Sequence, residues 1–127
     1  MSVRVLIVDD QEPFRSVARA VVELTDGFEV VGEAEDGEQS VAFARELRPD
    51  LVLMDVNLPG ISGLEATRQI LAHTDTSRPV VVLVLSTYEA GEYGPQAEAA
   101  GAASFISKSE FSPERLAEAW SAARSAA

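Results

Sequence analysis

Between Asp50 and Gly63 the chain reads DLVLMDVNLPGISG. The apolar run Leu51 to Met54 ends in a carboxylate, Asp55, and Pro59, Gly60 and Gly63 then place the next residues in a turn or loop. A short apolar run bounded by turn residues fits a strand buried on both faces, as in the middle of a parallel sheet. A carboxylate at the end of such a strand calls for a chemical reason.

Outward from this stretch the same rhythm repeats. The runs VRVLIV (Val3–Val8), FEVVGEA (Phe28–Ala34), PVVVLVLS (Pro79–Ser86) and ASFIS (Ala103–Ser107) alternate with segments of helical period. In EPFRSVARAVVEL, Pro13 suits a first helical turn and Phe14, Val17, Val21 and Leu24 are expected to face inward. EQSVAFAREL (Glu38–Leu47) is a second helix, and Ser62 with Glu65 has the spacing of a capping box opening a third. Ser112-Pro113 opens the last, with Leu116, Ala119, Trp120 and Ala123 inward. In YEAGEYGPQAEAAGA, Gly91, Gly94 and Pro95 each oppose a helix, which is expected to start only near Pro95 and to end at Gly101. Five strand–helix units predict an α/β fold, a doubly wound five-stranded parallel sheet of flavodoxin-like (βα)5 form.

Bulk properties limit the partners. A chain of 127 residues matches one domain, residues 1–127, with 46% hydrophobic and 24% charged residues. No apolar run approaches the ~20 residues of a membrane helix, and the N-terminus lacks a signal-peptide layout, so a cytoplasmic protein with no membrane partner is expected. There is no cysteine, which removes disulfides and thiolate metal sites. A net charge of −11 disfavours direct contact with nucleic acid or anionic lipid. Proteins or cations are the expected partners.

Open sheets of this kind bind ligands beyond the carboxyl ends of their strands, where the strand order reverses. In the order 2-1-3-4-5 that point lies between strands 1 and 3, so Asp9 and Asp10 would meet Asp55 there. Clustered carboxylates need a cation, and with no cysteine and a single histidine the expected ion is a hard one with oxygen ligands, best Mg²⁺. Ser86 ends strand 4 and Lys108 comes just after strand 5. A hydroxyl, an ammonium and a metal cradle the outer oxygens of a phosphoryl group, and a carboxylate can itself accept one. Asp55 is the expected acceptor.

The pair Asp9-Asp10, Asp55 within LMDVNLPGISG, Ser86 in LVLST and Lys108 in SFISK, in that order on successive strand ends, resemble the receiver domains of two-component response regulators over the whole chain. The resemblance also supplies in part the strand order 2-1-3-4-5. It implies phosphoryl transfer from a sensor histidine kinase to Asp55. Mg²⁺ would be bound by Asp10, Asp55 and the main-chain carbonyl of Asn57, with Asp9 acting through the metal's water. It further implies that Lys108 pairs with the phosphoryl oxygens, that Ser86 and Phe105 form a switch, and that Asn57 and Tyr88 set the phosphoryl lifetime. The surface of helix 4, strand 5 and helix 5 would serve output and possible homodimer formation, with the chain catalysing only its own phosphorylation and dephosphorylation. The wording of its second half is most similar to NarL/FixJ/LuxR-type receivers, which precede a DNA-binding domain. The chain ends after the fifth helix, so either it acts alone or it is a piece of a longer transcription regulator.

The family more often carries threonine where Ser86 stands, and in many members a proline comes after the lysine, where this chain has Ser109. Other classes fit less well. A haloacid-dehalogenase-type phosphatase would carry its nucleophile after the first strand, and an FMN carrier would be repelled by DDQEP. No G-x-G-x-x-G marks a dinucleotide enzyme. The remaining rival is a receiver that is never phosphorylated, whose mark would be loss of the acceptor or of the acid pair. His73 and Trp120 are read as a surface histidine and a packing residue.

Overall fold

The computed structural model describes residues 2–74, 77, 79–87 and 90–125, without the side chains of residues 90–93. The elements are β1 (Val3–Val8), α1 (Glu12–Glu23), β2 (Phe28–Ala34), α2 (Gly37–Leu47), β3 (Leu51–Asp55), α3 (Gly63–Ala72), β4 (Val81–Ser86), α4 (Ala90–Ala99), β5 (Ser104–Ser107) and α5 (Pro113–Ser125). All described strand pairs are parallel, in the order β2-β1-β3-β4-β5. The expected α/β architecture and strand order are both present.

Side chains alternate along each strand, so one strand feeds two cores. Leu51 and Leu53 of β3 join Val5 and Ile7 beneath α1 and α5, while Val52 and Met54 join Leu6 and Val8 beneath α2, α3 and α4. That is why β3 is apolar at every position before Asp55. Its five residues are all buried.

Most local signals hold. Ser62 caps α3 by accepting from the Glu65 amide at 3.1 Å. Pro113 begins α5, and Leu116 and Ala119 are buried. Trp120 packs edge-on to Phe28 with ring centroids 6.2 Å apart, and His73 is exposed. No cis peptide bond occurs among the described residues, so the bond after Lys108 is trans.

Two expectations are corrected. Val17 and Leu24 do not face the core: they are 52% and 74% exposed. The buried face of α1 is Arg15, Ala18, Val21 and Val22. Counting apolar residues skips a charged one whose partners make burial tolerable, and so misplaces the stripe. Helix α4 begins at Ala90, a full turn before Pro95, which lies inside it. The missing amide and the ring cost ~3 kcal/mol, but the next turn is anchored by the buried Ala97 and Ala100, and cooperativity carries the helix through. Its end is as expected, with Gly101 at φ +101° and the Ala102 amide donating to the Ala97 carbonyl at 3.0 Å.

Candidate functional site

The register β1 to β3 pairs Val8 with Met54. The next residues, Asp9 and Asp55, therefore emerge side by side at the strand-order reversal between β1 and β3. One oxygen each from Asp9, Asp10 and Asp55 lies within 4.8 Å of the others. Asp9 and Asp55 are buried, whereas Asp10 is exposed at the rim.

The loop after β3 is held by backbone contact. The Gly63 amide donates to the Val56 carbonyl at 2.9 Å, seating α3 against the end of β3. A Cβ on Gly63 would fall inside the van der Waals envelope of the Asp55 carbonyl oxygen, so only glycine permits this approach.

Every polar handle of Asp9 is used. Its amide donates to the Ala34 carbonyl at 3.0 Å, and its carbonyl accepts from the Arg15 guanidinium at 2.8 Å. One carboxylate oxygen accepts from the Gln11 amide at 2.8 Å and the other from Lys108 Nζ at 2.6 Å. The ammonium stands 3.5 Å from Asp55 and 4.3 Å from the centroid of the Phe14 ring. It is thus a part-buried cation shared between two carboxylates and an aromatic face.

The Asp55 carboxyl is pushed up to about 6, chiefly by burial and then by the charge of Asp9, against the pull of Lys108 and of the Asn57 amide. A carboxylate so placed is poorly solvated and seeks a cation or an electrophile. The three carboxylates offer only oxygen ligands, a set suited to a hard divalent ion.

The structure brings together Asp9, Asp10, Asp55 and Lys108 as the sequence predicted. Ser86 ends β4, fully buried and paired in register with Ser107, the residue before Lys108. Asn57 is exposed just beyond Asp55. Phe105 is half-buried on β5 and lines an open hollow of about 470 Å³ between α4 and β5, with Pro95, Ala97 and Ala102. Tyr88 lies outside the described residues. Sequence reasoning gave no role at the site to Phe14 or Arg15. The visible signal was an aromatic–arginine pair one turn after an acidic pair. A second cavity, of about 550 Å³ and walled partly by Arg48, Ile70 and His73, lies away from the carboxylates.

Comparison with known proteins agrees with this geometry. Residues 5–121 match the response regulator receiver domain. The chain is 43% identical over 107 residues to the response regulator GacA of Pseudomonas viridiflava, covering 84% of this chain and 48% of that protein. It spans about half the length of such curated relatives. Among solved structures, a LuxR-family two-component response regulator from Aurantimonas sp. SI85-9A1 superposes with a TM-score of 0.84 at 33% identity, covering 96% of this chain and 84% of that one. The response regulator domain of Thermotoga maritima CheB gives 0.84 at 30% identity, covering 98% of each.

Proposed function

Because the chain belongs to the response regulator receiver family, we propose that Asp55 accepts a phosphoryl group from the phosphohistidine of a sensor histidine kinase. The observation that carries this reading is a buried carboxylate pushed up to about 6 and set 3.5 Å from the part-buried Lys108 ammonium. An Asp55 oxygen attacks phosphorus, the bond from phosphorus to the kinase imidazole breaks, and the imidazole leaves with the electron pair. Burial keeps competing water from the acceptor and leaves the carboxylate nucleophilic. Lys108, already within reach, turns part of its charge from Asp9 to the transferred oxygens.

Asp10, Asp55 and the Asn57 carbonyl would hold Mg²⁺, with Asp9 helping through water. The ion, when bound, neutralises charge on the transferring group. Ser86 then hydrogen-bonds the phosphoryl group, and Phe105 takes up the space beneath α4, altering the surface of α4, β5 and α5. That surface serves the output and the pairing of two copies. The chain catalyses only its own phosphorylation and dephosphorylation, works in the cytoplasm, and in a longer protein controls transcription.

Incubation with acetyl phosphate and Mg²⁺, then measurement of the intact mass, tests the acceptor. One added phosphoryl group is expected on the wild type and none on Asp55→Asn. Lys108→Ala should still be labelled, but without the spectral change that marks activation. Full labelling of Asp55→Asn sinks the assignment.

A further inference from the structure

Arg15 is a charged residue on the inward face of α1, with its side chain only 10% exposed. Burying a guanidinium is costly unless its donors are met, and here they are. Nε faces Glu33 at 3.4 Å, and the two terminal nitrogens reach the Asp9 carbonyl at 2.8 Å and Glu12 at 3.0 Å, the latter also facing Glu35 at 3.4 Å. Arg19 joins the group by gripping both oxygens of Glu33, at 2.7 and 2.9 Å. The Arg19 contact, helped by Arg15, holds the Glu33 carboxyl below its ordinary range and so keeps it charged.

Most of these contacts could belong to any surface ion network, and the exposed Glu12 and Glu35 add little through screened charge. The contact with the Asp9 carbonyl is different. It is buried, and it fixes the peptide plane joining Asp9 to Asp10. The Asp10 side chain is exposed, and that plane sets the backbone from which it projects. The Gln11 side chain adds no cap bond, so the turn is braced from two sides: the Asp9 carboxylate accepts from the Gln11 amide at 2.8 Å, and Arg15 holds the Asp9 carbonyl.

We propose that Arg15 is a positioning residue for the cation site: by clamping the Asp9 carbonyl it aims the acidic pair, and Asp10 above all, toward Asp55. The proposal rests on the reading of that site as the Mg²⁺ and phosphoryl site. Its sign separates it from simple electrostatics. A cation beside a cluster of carboxylates repels Mg²⁺, so removing its charge alone would tighten binding; removing a clamp loosens it.

The test is the Mg²⁺ dissociation constant by isothermal titration, with folding checked by circular dichroism. Arg15→Lys keeps the charge but lacks the planar fork that reaches several acceptors at once. Arg15→Gln removes the charge as well. Both are expected to weaken Mg²⁺ binding, by about 10-fold, as loss of an outer partner of a metal ligand does. Val41→Ala, which opens the core on the other face of the sheet, should lower stability and leave the constant unchanged. Tighter binding in Arg15→Gln, or folded variants within twofold of the wild type, overturns the proposal while the phosphoryl reading stands. A wild type that takes up neither Mg²⁺ nor a phosphoryl group overturns both. Should neither variant fold, the wild type decides by nitrogen-15 spectroscopy. Slow rotation of the Arg15 guanidinium, with a shift on adding Mg²⁺, supports the clamp, and free rotation with no shift refutes it.

Discussion

The two ends of the strand row β1-β3-β4-β5 handle packing in opposite ways. At β1 and β3, Asp9 uses its amide, its carbonyl and both carboxylate oxygens, and the Gly63 amide locks the loop to Val56. At β4 and β5, a helix with a proline inside it and two glycines stands beside an open hollow of about 470 Å³ bordered by a half-buried phenylalanine. Groups that must meet a phosphoryl group in one geometry are held before it arrives. A surface that must take two arrangements is built from elements whose packing is incomplete, because a single bond can shift only an equilibrium already within a few kcal/mol.

Gly63 is where this contrast is most vulnerable. Gly63→Ala forces a methyl group against the Asp55 carbonyl, where the close approach of two backbones leaves no flexible side chain to yield. A loss of about 3 kcal/mol or more is expected in urea unfolding. A loss under about 1 kcal/mol would mean that the acceptor loop is not locked by this backbone contact.

Asp55 offers the next largest effect. Its folded-state carboxyl is raised from 3.8 to about 6, so folding favours its protonated form. The resulting stability is fully present below pH 3.8 and is lost as the pH climbs to about 6. Without divalent ions, Asp55→Asn should remove this dependence and leave the protein about 2 kcal/mol more stable than the wild type at neutral pH, after allowance for solvent at the open rim. Parallel pH–stability curves for the two proteins would show that Asp55 is not desolvated.

At the loose end the effect should be smaller still, and a gain rather than the loss expected at Gly63. A Cβ on Gly94 meets nothing within 4 Å, so Gly94→Ala gains helix propensity at no steric cost. A stabilisation of about 1 kcal/mol is expected, with slower hydrogen exchange across α4 and a smaller change on adding beryllofluoride. Wild-type α4 amides already as protected as those of β4 would erase the contrast between the two ends.

The alternation of strands and helices, the apolar strand that must lie inside a sheet, and the acids, hydroxyl and lysine at strand ends are all legible in the amino-acid sequence. These are local properties: periodicity, turn residues and chain order suffice to express them. The burial of Arg15, with Val17 and Leu24 left facing water, emerges only on folding, because charged partners on other segments override the apolar count. So does the placing of Lys108 closer to Asp9 than to Asp55, at 2.6 against 3.5 Å, which depends on where β5 ends relative to β1. The start of α4 before Pro95 is hidden from the sequence for the same reason: propensity is written in neighbours along the chain, whereas the packing of Ala97 and Ala100 that outweighs it comes from the sheet beneath.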